Sequence, residues 1–345
     1  MKYTYLANTD IEVSKICLGT MTWGNQNTEA QGHEQMNCAL EQGVNFFDTA
    51  ELYAVPASAE TYGSTEKIIG SWFKKTKNRA KIILATKIAG TGDYTAHIRK
   101  DGFSNRALTE AVEGSLKRLQ TNYIDLYQLH WPKRGVNCFG IRDYPYKTSS
   151  RETDNYAEIL QTLNKFIKQG KIRCIGLSNE TPWGTMKYLQ TAELLNLQKP
   201  VSVQNSYSLI HRSYEYGMSE VSLRENIGLL AYSPLAFGVL SGKYLGGKKP
   251  DGARLTLFPR FNRYSSEQST KAAMAYQKIA QKHGLSLAEL SLAYINQLPF
   301  VTANIIGATK LHQLKENINS INITLSETVL NEIEQVHSSM PNPAP

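Results

Sequence analysis

Ile124-Asp-Leu-Tyr-Gln-Leu-His130 is the stretch that sets the fold. It is a short, mostly apolar run that ends on a histidine. Just before it, Asn105–Leu119 carries apolar residues at helical spacing, with Ser104 placed as its N-cap. The run is too short for a helix, whereas the stretch before it is long enough for one. The same alternation repeats along the chain. Strands are expected near Ile16–Leu18, Asn45–Asp48, Ile82–Lys87, Ile124–His130, Ile172–Ser178, Val201–Asn205, Leu229–Tyr232 and Asn304–Gly307. Helices are expected at Glu29–Gln42, Asn155–Lys168, Trp183–Leu195, Ser265–His283 and Leu311–Ile318, with a last one at Ser326–Val336. A short hairpin, Tyr3–Tyr5 and Ile11–Val13, precedes the series.

Near-continuous apolar strands alternating with helices lie parallel and are covered on both faces. Eight such units in one series predict an α/β fold, a (β/α)8 TIM barrel with an N-terminal β-hairpin. No Gly-x-Gly-x-x-Gly follows the first strand, so a doubly wound dinucleotide fold ranks second. Gly238-Val-Leu-Ser-Gly242-Lys243 imitates a phosphate loop but has one residue too few between its glycines, and Tyr244 follows the lysine. Three segments exceed simple connections: Ala54–Gly63, Lys133–Asp154 and Pro234–Tyr264. Each begins after a strand end, so in a barrel all three rise over one rim. Nothing marks an internal boundary, and residues 1–345 are expected to form a single domain.

Composition narrows the function. The 345 residues are 41% hydrophobic and 20% charged, which provides for a buried core. The net charge of +8 is scattered rather than gathered into a basic arm, so no nucleic-acid partner is expected. No apolar stretch approaches the roughly 18 residues of a membrane span, so no membrane insertion is expected. The four cysteines, Cys17, Cys38, Cys138 and Cys174, are widely spaced. They predict free thiols, a reducing compartment and a cytoplasmic setting.

Barrel enzymes carry their chemistry where the strands finish. That rim reads Asp48 and Tyr53, Lys87, His130, Ser178-Asn179, Gln204, Tyr232-Ser233 and Gly307-Ala308-Thr309. Taken singly, Tyr53 is one tyrosine of 19 and most simply a packing residue. Asp48 alone reads as a helix cap, Lys87 as a surface lysine and His130 as a hydrogen-bonded core histidine. Together, an acid, a phenol, an amine and an imidazole make a proton-delivery device suited to reducing a carbonyl. A free phenol has a pKa near 10, and a neighbouring ammonium lowers it. Lys87 is expected to do this for Tyr53, with Asp48 holding Lys87 and His130 orienting the substrate oxygen. Side chains supply no hydride, so a redox cofactor is required. One histidine and one aspartate are too few for a metal-dependent hydrolase, and no metal is expected.

The motifs Gly43-Val-Asn-Phe-Phe-Asp-Thr-Ala-Glu-Leu-Tyr53, Asp125-Leu-Tyr-Gln-Leu-His-Trp-Pro132, Gly170-Lys-Ile-Arg-Cys-Ile-Gly-Leu-Ser-Asn179 and Tyr232-Ser-Pro-Leu235 resemble the aldo-keto reductases. The resemblance covers nearly the whole chain. It implies an NADPH-dependent reductase, with NADH the lesser alternative, in which Asp48, Tyr53, Lys87 and His130 form the catalytic tetrad. By the same resemblance, Gly19, Thr20 and Met21 line the nicotinamide-ribose side. Asp48 joins this cofactor set, and Ser178, Asn179 and Gln204 hold the carboxamide. Tyr232 stacks on the nicotinamide ring, and Trp23 is expected near it. Ser233, Leu235, Gly238, Leu240 and Gly242 wrap the pyrophosphate through backbone N–H groups. Lys243, Arg254 and Thr309 match positions that hold the 2′-phosphate, with Gln313 and Asn317 at the adenine end, and Gly307 joins the cofactor-binding set. The implied partner is a small-molecule carbonyl substrate, shaped by the long loops. Ser233-Pro-Leu-Ala with Ser241-Gly-Lys-Tyr244 also resembles potassium-channel β subunits. That likeness implies an alternative, an NADPH-binding redox-sensing regulatory subunit whose protein partner is unknown.

Overall fold

The computed structural model describes residues 1–146 and 155–344, so the end of the Lys133–Asp154 segment lies outside the described residues. Strands β1 (Tyr3–Tyr5) and β2 (Glu12–Ser14) form the antiparallel hairpin. Eight parallel strands follow: β3 (Ile16–Gly19), β4 (Phe46–Asp48), β5 (Ile83–Ile88), β6 (Ile124–Leu129), β7 (Ile172–Ser178), β8 (Ser202–Ser206), β9 (Gly228–Tyr232) and β10 (Val301–Ile306). They pair in chain order, and β10 returns to β3 with Asn304 opposite Ile16, closing the barrel. The fold is the expected (β/α)8 barrel.

Helices α1 (Glu29–Glu41), α2 (Ser64–Thr76), α3 (Asn105–Leu119), α4 (Tyr156–Lys168), α5 (Pro182–Leu194) and α6 (Met218–Arg224) come between successive strands up to β9. The short α7 (Arg254–Leu257), α8 (Glu267–Lys282) and α9 (Leu287–Asn296) lie between β9 and β10. Then come α10 (Leu311–Asn319) and α11 (Glu327–Ser339). Ser104 caps α3 as expected, its Oγ accepting from the Ala107 N–H at 3.2 Å. The last barrel strand starts earlier than expected, at Val301, because the register with β9 skips Thr302: Val301 pairs with Leu229 and Ala303 with Leu230.

Strand periodicity then decides what faces inward. Cys17, Phe46, Ala85, Leu126, Cys174, Leu230 and Ala303 form one inner cluster, which Leu6, Ile11 and Val13 of the hairpin region join. Their strand neighbours Leu18, Phe47, Leu84, Tyr127, Ile175 and Leu229 belong to the larger cluster shared with the helices. Side chains alternate along a strand, so positions two residues beyond an inner residue also point inward. That rule carries Asp48, Lys87, Gln128 and Tyr232 into the barrel mouth, and His130 one step further. The same apolar layers anchor them: truncating a buried residue such as Phe46 to alanine costs about 3–5 kcal/mol.

Candidate active site

The carboxylate of Asp48 is the hub of the barrel mouth. Its Oδ2 accepts from Lys87 Nζ at 2.6 Å. Its Oδ1 accepts from Gln204 Nε2 at 2.8 Å and Gln128 Nε2 at 3.1 Å. Lys87 also donates to the Thr49 carbonyl at 2.7 Å and is fully buried. Thr20 Oγ1 donates to the Asp48 carbonyl at 2.8 Å, tying β3 to β4. A buried ion pair persists when further hydrogen bonds support it; here two amides hold the carboxylate and the Thr49 carbonyl holds the ammonium.

Tyr53 and His130 stand over this hub. Lys87 Nζ lies 5.2 Å from the Tyr53 ring centroid, and the Tyr53 and His130 rings meet edge to face at 5.8 Å. The four residues converge. The expected effect of Lys87 on the phenol does not hold, however. Burial, and then the Asp48 carboxylate, push Tyr53 upward from the ordinary phenol value. The cation that opposes this rise is the Arg254 guanidinium, not Lys87. Burial, and then the Lys87 ammonium, hold His130 well below the usual histidine range, so the imidazole is neutral. Among the described residues its Nδ1 is buried without a hydrogen-bond partner.

A cavity of about 1350 Å³ opens at the mouth. Of the residues singled out in the sequence, Gly19, Thr20, Met21, Asp48, Tyr53, His130, Ser178, Asn179, Gln204, Tyr232, Ser233, Leu235, Gly238, Lys243, Arg254, Gly307, Thr309, Gln313 and Asn317 all line it. Lys87 lies beneath the surface. The expected carboxamide ligands already bond one another: Asn179 Nδ2 donates to the His130 carbonyl at 2.8 Å and to Ser178 Oγ at 3.1 Å. Tyr232 OH donates to Asn179 Oδ1 at 2.6 Å.

Two sets of positions depart from the sequence reading. Leu240 is fully buried, and neither it nor Gly242 lines the cavity. The N–H groups of Gly238 and Leu240 donate to the Leu235 carbonyl at 2.7 and 3.2 Å, and that of Gly242 to Val239 at 3.1 Å. Tight turns thus take up the donors expected at a pyrophosphate. Trp23 is also fully buried, donating to Gln35 Oε1 at 3.2 Å. Trp131 is the tryptophan that lines the cavity.

Sequence reading missed Gln128, the second amide on Asp48. It lies on β6 two residues after Leu126 and two before His130, so the inward phase of that strand would have found it. Glu51 was also passed over. Its buried carboxylate accepts from the Ala89 N–H at 2.6 Å and from both Arg99 Nη atoms, fixing the segment that carries Tyr53.

Lys243 and Arg254 form a cationic corner. Arg254 lies 5.1 Å from the Phe237 ring centroid, and burial, then the Arg254 charge, lowers Lys243 from its ordinary value. Among the described residues neither makes an ion pair with a carboxylate. Two uncancelled cations suit a phosphate, and the Tyr232 ring offers a platform for a flat heterocycle. The donor set therefore fits a nicotinamide dinucleotide.

The sequence model of the aldo/keto reductase family matches residues 15–338. The chain belongs to the aldo/keto reductase family. Members are oxidoreductases that draw on a nicotinamide dinucleotide. The chain is 48% identical over 347 residues to "Protein tas" of Escherichia coli, covering all of both. It is 33% identical to "Uncharacterized oxidoreductase YrpG" of Bacillus subtilis, covering 97% of this chain and 96% of the relative. It is 30% identical to "Probable voltage-gated potassium channel subunit beta" of Arabidopsis thaliana, covering 99% and 98%. No helix among the described residues is long and apolar enough to cross a membrane.

Proposed function

We propose that this aldo/keto reductase reduces an aldehyde or ketone to an alcohol with NADPH, Tyr53 being the general acid. When bound, the dinucleotide supplies the hydride. Tyr53, protonated at neutral pH, gives its proton to the oxygen as negative charge develops there. The neutral His130 ring offers one N–H to that oxygen and orients it. Lys87 and Asp48 hold a fixed charge pair beneath the phenol and keep the mouth rigid. Proton delivery of this kind contributes about 10² to 10⁴ in rate. Lys243 and Arg254 are assigned to the 2′-phosphate, which favours NADPH over NADH. Residues 1–345 acting as one domain, and a reducing cytoplasmic setting for the four free thiols, belong to the same proposal.

The observation that carries this reading is the buried Asp48–Lys87 pair directly below Tyr53, at a cavity that also presents a cationic corner with no carboxylate partner among the described residues. The test is NADPH oxidation with a panel of aldehydes by the parent and by Tyr53→Phe. The variant should lose about 10² to 10⁴ in turnover. Equal turnover by the two would overturn the role of Tyr53. The likeness to a protein named as a channel subunit favours a second reading, in which cofactor occupancy controls a partner and turnover is slow. Turnover at ordinary enzymatic rates, about 1 to 10³ per second, decides against it.

A further inference from the structure

Beyond Tyr53 and His130 the cavity changes character. Its wall is aromatic and starts at the catalytic imidazole. The Trp131 ring lies 4.9 Å from that of His130 and is stacked with Tyr94 at 5.6 Å, and Phe139 meets it edge-on at 5.7 Å. Trp131 is fixed in this position. Its Nε1 donates to the Thr91 carbonyl at 3.0 Å, and a Cβ on Gly90 would fall 2.2 Å from that nitrogen, so only glycine lets the indole lie there.

Arg263 ends this wall. Its guanidinium lies 5.6 Å from the Phe139 ring centroid and 5.7 Å from that of Phe237. It donates to Tyr264 OH at 3.1 Å, and the Tyr232 phenol lies within its electrostatic reach. Phenols accept a hydrogen bond but leave the cation uncancelled. Among the described residues Arg263 makes no ion pair with a carboxylate. Its neighbour Tyr232 belongs to the site, since Tyr232 donates to Asn179 and Asn179 to the His130 carbonyl. A half-buried, lining guanidinium among aromatic faces matches a planar anion, which it can grip through two parallel bonds.

Arg254, assigned above with Lys243 to the 2′-phosphate, shares the Phe237 ring with Arg263, at 5.1 and 5.7 Å from its centroid. We propose that the preferred substrate is a flat aromatic carbonyl compound bearing a carboxylate, with its ring against Trp131 and its acid group on Arg263. The inference rests on the reductase reading above. In the reaction the carbonyl carbon gains hydride and the carbonyl oxygen gains the Tyr53 proton. The dinucleotide is left oxidised and the carboxylate unchanged.

The experiment compares para-carboxybenzaldehyde with its methyl ester in the parent, Arg263→Gln and Arg263→Lys, together with binding of terephthalate and NADPH followed by intrinsic fluorescence. A charge-assisted hydrogen bond predicts a kcat/KM about tenfold or more higher for the acid than for the ester in the parent. That preference should disappear in Arg263→Gln, mainly through KM, and return in part in Arg263→Lys. Terephthalate should quench the parent and not Arg263→Gln. Equal kcat/KM for acid and ester in the parent would overturn the proposal. So would an Arg263→Gln variant that loses NADPH affinity and both substrates alike, which would make Arg263 a cofactor residue. If neither aldehyde is reduced, the reductase reading fails, and terephthalate quenching then decides the anion site alone: Arg263-dependent quenching upholds it, and its absence removes it.

Discussion

Lys87 Nζ sits 2.6 Å from Asp48 Oδ2, and both side chains are sealed inside the barrel mouth. Taking away one partner strands the other charge without solvent. Asp48→Asn therefore destabilises the protein by about 3–5 kcal/mol. Urea unfolding at neutral pH checks this. A midpoint within error of the parent would mean that solvent or another group already satisfies the lysine.

The same pair sets the pH behaviour of Tyr53. Burial and the Asp48 carboxylate raise this phenol, so the protonated acid persists well above neutral pH. Reduction should show no tyrosine-dependent decline in kcat/KM up to about pH 9, since the free-enzyme profile reports this group. A base limb below pH 8 that vanishes in Tyr53→Phe would show that Lys87 dominates after all.

The outline of this site was legible because strand periodicity and strand ends are properties of sequence. Phe46-Phe47-Asp48 and Leu126-Tyr127-Gln128-Leu129-His130 each state which residue points inward. Partner choice was not legible. Nothing in the sequence says that Asp48 collects two amides as well as Lys87, or that turns take up the N–H groups of Leu240 and Gly242. Trp23 and Trp131 both lie near rim motifs, and only packing shows that Trp23 turns into the core and Trp131 into the cavity. Arg263 and Glu51 lie in loops, where no periodicity assigns a direction.

Cofactor choice is expected to turn on the cationic corner. Arg254→Ala should weaken NADPH by about tenfold or more while changing NADH much less, because only NADPH carries the extra phosphate that a guanidinium grips. Fluorescence titration with each dinucleotide measures both affinities. Equal losses for the two would move Arg254 from the 2′-phosphate to a part of the cofactor they share.

His211 gives the fold an acid limit. Its Nδ1 faces the Ala344 carbonyl at 3.2 Å, and burial pushes the ring down to about 4. Unfolded, it would titrate near 6.5. Between these values the unfolded chain binds a proton that the folded one does not, so stability falls as pH drops. The contribution is complete above pH 6.5 and lost on approach to pH 4. Urea melts at pH 7 and pH 5 should differ, and His211→Gln should shrink the difference. A variant with an unchanged difference would place the acid sensitivity elsewhere.

Tyr53 is aimed from two residues away. Glu51 fixes its segment: the Glu51 N–H donates to the Lys87 carbonyl at 3.2 Å, and its fully buried carboxylate is bridged by Arg99, with Arg99 Nη2 at 3.0 Å from Oε2. Arg99 comes from the segment after β5 and also donates to the Ala89 carbonyl at 3.2 Å, so one guanidinium joins two rim segments. Arg118 approaches the same carboxylate only to 3.9 Å. Arg99→Met should cost about 3 kcal/mol, the lower end for a broken buried pair, because Arg118 remains as a partial partner. It should also lower kcat by up to about 10², the effect of a misplacement near 1 Å, while the NADPH affinity holds. Arg99→Lys should recover little, since an ammonium cannot bridge both oxygens in one plane. Kinetics at a temperature where every variant is folded separate the two effects. A stability loss with kcat unchanged would reduce Arg99 to a structural tie and leave Tyr53 aimed by the barrel alone.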